Sequence, residues 1–186
     1  MGKTGGWRLT TLGMAAALLV CALLLPAGCG EKAAEETIEQ QMEEAMGSEE
    51  ADVDVDIKDD ESGTISISGT EGDAEVAFGG AAQVPDGFPQ ELVPDGAKIE
   101  YSMNVDEAEG VAQTVTFTSD ADVNEMYEWF VEALPKAGYE VEHKMQMDAD
   151  EGRAFSIAGS GSATGCTVTG TESEGQFVGS VIIFSN

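Results

Sequence analysis

The residues best suited to chemistry lie in one short run, His143-Lys144-Met145-Gln146-Met147. Side chains two apart on a β-strand share a face, so an imidazole and two thioethers would line up there. Imidazole with soft sulfur suits Cu(I), and Cys166 or Met103 would complete such a set. The same alternation supports a plainer reading. Tyr139, Val141, His143, Met145 and Met147 form the more apolar side of the strand, which is expected to turn to the core, where Met is a routine gap-filler. On that reading both thioethers are buried among apolar side chains and no ion reaches them.

A second candidate is Trp129. At 100° per residue it lies off the apolar stripe of its helix, so it is the candidate partner contact, as an anchor for a protein or a sugar ring. The competing expectation is that it packs under the Phe88-Pro89 connector.

Other chemistries fail on residue type or spacing. The chain has one His, and no Ser or Cys stands beside it in sequence to be activated as a nucleophile. Its 36 acidic residues are too scattered for spacing to select a catalytic pair. An EF-hand loop needs Gly at its sixth position and Glu at its twelfth. Counted from Asp52 those places hold Ile57 and Gly63, and counted from Asp148 they hold Arg153 and Gly159. Weak Ca²⁺ association of the acidic surface as a whole remains open. No catalytic residue is assigned, no cofactor is expected, and the protein is read as a non-enzyme. With 8 Lys and Arg against those 36 acids the formal charge is −28, which excludes nucleic-acid binding through phosphate contacts. A cationic partner fits the charge better.

Several elements must position these residues. From Asp52 to Phe78 three short runs alternate with period two, separated by Glu61-Ser62-Gly63 and Glu71-Gly72-Asp73, which predicts a small acidic β-meander leaning on another sheet. Two Pro-Asp-Gly turns, at Pro85 and Pro94, mark a buckled connector. Beyond it Ile99, Tyr101, Met103 and Val105 are expected on one face of a strand, and Val111, Val115 and Phe117 on one face of the next. A helix capped by Ser119 or Asp120 follows, with Val123, Met126, Tyr127, Phe130, Leu134 and Ala137 on its apolar side. Pro135 weakens its last turn and Gly138 ends it. Strand patterns then occupy residues 139–148, 153–159, 164–171 and 176–185. The expected fold is α+β, a mainly antiparallel sheet with one packing helix in the order β-β-α-β-β-β, preceded by the meander and an N-terminal signal helix. Val178 to Phe184 is apolar on both faces, which predicts a central strand covered on both sides, with the meander supplying part of one cover.

The first 29 residues differ from the rest. Lys3 and Arg8 are their only charged side chains, and the apolar run over residues 12–25 is about 14 residues long where a membrane-spanning helix needs roughly 20. That pattern is an export signal. Its end, Leu25-Pro26-Ala27-Gly28-Cys29-Gly30, resembles the lipobox of bacterial lipoproteins, with Pro26 standing where that family usually has Leu. Cys21, after Val20, matches it less well. The resemblance implies cleavage between Gly28 and Cys29 and a diacylglycerol, with fatty acids such as palmitate, on the Cys29 sulfur.

After Cys29, residues 31–61 hold 14 acids against Lys32 and Lys58. Residues 31–46 are rich in helix formers, with a narrow stripe of Ala34, Ile38, Met42 and Ala45, and are expected to be an acidic tether standing off the membrane. The full layout, from lipobox through Phe88-Pro89 to Tyr127, Leu134 and Gly138-Tyr139, is similar to small uncharacterised bacterial lipoproteins. It implies a signal peptide over 1–28, a tether over 29–50, the meander over 51–80, the connector over 81–96 and the α+β domain over 97–186. The function expected is that of an extracytoplasmic module, lipid-anchored to a bacterial cell membrane, that binds an unidentified protein or ligand of the envelope. A metal-handling lipoprotein using His143, Met145, Met147 and Cys166 is the alternative.

Overall fold

The computed structural model describes residues 52–58, 62–69, 72–108, 110–149, 152–173 and 175–185. The expected signal segment, Gly28, Cys29 and the acidic stretch before Asp52 lie outside them. Nine strands are described: β1 (Asp52–Lys58), β2 (Ser62–Gly69), β3 (Gly72–Phe78), β4 (Lys98–Glu107), β5 (Gly110–Ser119), β6 (Glu140–Ala149), β7 (Gly152–Ser160), β8 (Thr164–Ser173) and β9 (Gln176–Ser185). Among the described residues one α-helix, α1 (Val123–Lys136), joins β5 to β6.

All nine strands form one antiparallel sheet in the order β1-β2-β3-β4-β5-β9-β8-β7-β6. The α+β class therefore holds, with two corrections to the expected layout. Four strands follow the helix, at the four runs the alternation marks, so the order β-β-α-β-β-β counts one too few. The meander does not lean on another sheet: β3 pairs with β4, placing Ala74 opposite Val105 and Val76 opposite Met103.

The helix forms where its period predicts, and Val123, Met126, Phe130, Ala133 and Leu134 are its buried residues. Its N-cap is Asp122, three and two residues beyond the expected Ser119 and Asp120. The Asp122 carboxylate accepts from the Asn124 N–H at 2.7 Å, and Glu125 reaches back to accept from the Asp122 N–H at 3.3 Å. This capping box satisfies two amide donors that a helix start otherwise leaves orphaned. At the other end Gly138 takes φ +90°, a left-handed conformation that only glycine adopts cheaply, and Tyr139 N–H closes the turn on the Leu134 carbonyl.

Under the helix lies the larger core. Phe117, Phe130, Phe155 and Phe177 form a chain of rings with centroids 5.9 to 6.2 Å apart. Room for them comes from missing side chains on the sheet. A Cβ on Gly170 would fall 2.5 Å from Phe155 and 2.6 Å from Phe177, and one on Gly179 would fall 2.6 Å from Phe177 and 2.8 Å from Phe117. The connector belongs to this core, because Phe88 and Leu92 are buried in it. Gln113 pins the connector to the sheet by donating to the Asp86 carbonyl at 2.8 Å and to Asn104 Oδ1 at 3.0 Å.

A second, smaller cluster gathers Val53, Val55, Ile65, Ile67, Ala74, Val76 and Val105. Cross-strand register puts it on the opposite face of the sheet. Val105 pairs with Ala112 and Ser102 with Val115, so Val105 points away from the helix while Val115 points toward it. The buried apolar face thus changes sides between β4 and β5. A register shift between Ile99 and Tyr101 belongs to the same change. It leaves Ile99 with the helix-side core and sends Tyr101 and Met103 to the second cluster, so the four residues expected on one face are divided.

Candidate functional site

Strand β9 occupies the centre of the sheet, as its two-sided apolarity predicts, but only one of its faces is covered. Phe177, Val181 and Ile183 are buried in the helix-side core, whereas Ile182 is 39% and Phe184 47% exposed on the far side. The meander extends the sheet edgewise and does not lie over them. These two residues were missed as surface features because their alternation reads equally well as a strand buried on both sides.

The far face continues outward across β8, β7 and β6. Register places Thr114, Ile182, Thr167, Ala158 and His143 in one row, and Thr116, Ser180, Thr169, Ser156 and Met145 in the next. On this face no side chain of β5, β9, β8 or β7 is ionisable, in a chain with 36 acids. Thr116 donates to Ser180 across it at 3.2 Å. Carboxylates appear only at its border. Glu142 accepts from Ser160 at 2.6 Å, and Glu100 accepts from Thr118 at 3.1 Å while pairing with Lys98 at 2.9 Å.

Met145 and Met147 lie on this open face, 52% and 50% exposed, and His143 is exposed beside them. The expectation that they face the core is wrong, and the cause is local. The register of β6 on β7 shifts between Val141 and His143, so Val141 pairs with Gly159 and His143 with Ala158. The extra residue reverses the parity of the strand. Tyr139 and Val141 point to the helix-side core, and everything odd-numbered after Glu142 points the other way.

The four residues of the metal alternative consequently do not meet. His143, Met145 and Met147 share one face of an edge strand, while Cys166 points to the other face of the sheet from β8 and is 1% exposed. Burial pushes the Cys166 thiol up to about 12, so at neutral pH it is a protonated core side chain and a poor soft-metal ligand. Met103 shares the open face, but five strand spacings, about 24 Å along the sheet, separate β4 from β6. Among the described residues no group of three or more His, Cys, Asp or Glu is placed to hold a metal ion.

Trp129 is half-buried against the larger core and meets Phe130 edge-to-face at 4.8 Å. Its ring is committed mainly to packing, which leaves only its exposed part for contact with another molecule.

On the meander the face opposite the second cluster is acidic. Asp52, Asp54, Asp56, Asp73, Glu75 and Asp106 are all exposed, and they share that face. The molecule therefore presents two contrasting exposed surfaces, one acidic on β1 to β4 and one neutral on β5 to β6.

Comparison of the chain with protein-family models, with characterised proteins and with solved structures gives no match. Function has to be read from the surfaces themselves.

Proposed function

We propose that this protein is an exported lipoprotein, anchored through a lipid on Cys29, whose folded part is a non-catalytic binding module of the bacterial cell envelope. The anchor reading rests on Ala27-Gly28-Cys29 behind the apolar run of the signal segment. The binding reading rests on one observation, the uncharged open face centred on Ile182 and Phe184. Monomeric proteins seldom leave such a patch bare without a use for it. A partner that suits it has an apolar or hydroxyl-rich centre and a basic rim. The strongly negative surroundings would speed its approach and the neutral face would hold it.

The test has two arms. Cells fed a clickable fatty acid should label the wild type and leave Cys29→Ser unlabelled; equal label on both ends the anchor reading. Envelope extract passed over the immobilised mature chain should yield a partner that Ile182→Asp with Phe184→Asp no longer retains. Retention unchanged by that pair ends the binding-face reading.

The exposure of Met145 and Met147 beside His143 favours one second reading, Cu(I) handling at the β6 edge without Cys166. Competition for Cu(I) against a chelator separates the two. Tight binding that Met145→Leu abolishes and Cys166→Ala leaves intact would establish the metal function.

A further inference from the structure

Strand β6 ends the sheet, and nothing among the described residues pairs with its outer edge. Its two faces are bare as well. The larger core reaches only its start, where Tyr139, just before it, is buried and Val141 half-buried; every side chain from Glu142 to Asp148 is exposed. Met145 and Met147, 52% and 50% exposed, are among them. A strand held by one ladder and packed on neither face is a marginal part of any sheet.

Proteins block such edges with bulges, proline or charge. Strand β6 has no proline, and its register shift lies near one end, between Val141 and His143. From His143 to Ala149 the pairing with β7 is unbroken. That regular stretch has Gln146 at its midpoint, and it holds one Lys and one acid, Lys144 and Asp148, at equal distances from that midpoint. Asp148 also faces Arg153 of β7 at 3.5 Å.

We infer that the β6 edge is a self-association surface, on which a second copy of this chain pairs antiparallel about a two-fold axis at Gln146. An axis that continues the sheet stands perpendicular to it, so each pair joins residues of one face and the axis passes through a residue. Centring on Gln146 sets Lys144 opposite Asp148 and Met145 opposite Met147, each twice. A centre at Lys144 would set two ammonium groups against each other, and a centre at Met145 would set Asp148 against Glu142. The symmetric placing of one cation and one anion is what selects a second copy over an unrelated strand.

The net charge of the chain does not forbid the contact. The acidic face of β1 to β4 lies five or more strand spacings, about 24 Å, from β6, several times the Debye length of about 8 Å. Pairing at β6 puts the two acidic ends at opposite extremes of the joined sheet. The same symmetry keeps both neutral faces on one side, so they merge into a single face of double width with the four thioethers along its seam. This goes beyond the binding-module reading and does not depend on the anchor.

Sedimentation of the mature chain carrying Cys29→Ser, over a series of concentrations, should show a reversible monomer–dimer equilibrium. Acids flank the stretch in sequence, Glu140 and Glu142 before it and Asp150 and Glu151 after it, so salt should tighten the dimer. Lys144→Glu should weaken it about tenfold, and Lys144→Glu with Asp148→Lys should recover most of the loss. At the axis the two Gln146 Cα atoms stand about 5 Å apart, within disulfide reach, whereas the two Lys144 Cα atoms are about 13 Å apart along the strands. Gln146→Cys should therefore oxidise to a covalent dimer and Lys144→Cys should not. A chain that stays monomeric throughout overturns the inference. So does a dimer that Lys144→Glu leaves unchanged, or one that cross-links through Lys144→Cys in preference to Gln146→Cys; a dimer lost instead in Ile182→Asp with Phe184→Asp would place the contact on the open face.

Discussion

The Phe184 ring occupies the space that a side chain on Gly165 would fill, directly across the β8–β9 pairing. Gly165→Ala forces the ring aside, but Phe184 has solvent to move into, so a cost of about 1 kcal/mol is expected. Gly179→Ala meets Phe177 and Phe117, both buried, and should cost roughly 2 to 3 kcal/mol. Urea unfolding of the two variants checks the order. Equal costs would mean that the Phe184 ring is as confined as the core rings.

Alkaline pH should weaken the fold. Burial raises the Cys166 thiol to about 12 and also raises the Tyr101 and Tyr139 hydroxyls; at Tyr139 a hydrogen bond with Thr164 works against the rise and the charge of Cys166 adds a smaller contribution to it. The folded chain holds these protons more tightly than the unfolded chain does. Their contribution is therefore complete below the ordinary thiol value and is lost as pH rises from about 9 toward 12. Unfolding midpoints should fall across that window, and less steeply in Cys166→Ala. The native thiol should also react with a disulfide reagent only as fast as the protein opens.

Asp73 stands directly opposite Asp106 in the β3–β4 pairing, both exposed. Like charges so placed oppose the pairing. Asp106→Asn should stabilise the protein by about 0.5 kcal/mol at low salt and by less at high salt. Thermal melts at two ionic strengths measure it, and no difference between them would show that solvent already screens the pair.

Truncation before Ala82 should leave a cooperatively melting protein. Among the described residues, every member of the larger core, and every side chain packed on it, lies at Val84 or beyond. What the truncation uncovers is the β4 edge together with Tyr101, Met103 and Val105, so the shortened chain should self-associate. A molten species in calorimetry would mean that the meander is needed for the core on the opposite face.

Substituting Met145 by Leu should change stability by less than about 0.5 kcal/mol, because the side chain is half exposed and no longer a core filler. On the binding-module reading no tight Cu(I) site is expected. Successive donors on this strand lie about 6.7 Å apart at their Cα atoms, so only adjacent members of the His143, Met145, Met147 row reach a common ion easily.

Much of this architecture was legible in the residues. The helix was read from the spacing of Val123, Met126, Phe130 and Leu134, and the central place of β9 from its apolarity on both sides. Two single-residue bulges were not legible. After Ile99 and after Val141 the apolar residues keep to odd positions, so the alternation looks unbroken while the backbone inserts one residue and turns the rest of the strand over. Those two insertions decide which sulfur atoms meet water. The N-cap was within reach, since Asp122 and Glu125 have capping-box spacing, but Ser119 and Asp120 offered competing oxygens. Which face of the meander is buried could not be told from the alternation, as either face of an isolated three-stranded unit serves equally well on paper.

The position of β9 sets the order in which the molecule can assemble. Strands β1 to β5 pair each with its neighbour in sequence, and so do β6 to β8, so both groups can zip up from local hairpins as the chain emerges. The two groups share no ladder with each other. They are joined only when Gln176–Ser185 slides between Thr164–Ser173 and Gly110–Ser119, supplying two ladders at once. Until then the edges of β5 and β8 stand open to any other extended chain. On the export reading, this delays closure until β9 has arrived, and it makes that strand the place where a chaperone, a protease or a stray strand competes for the outcome.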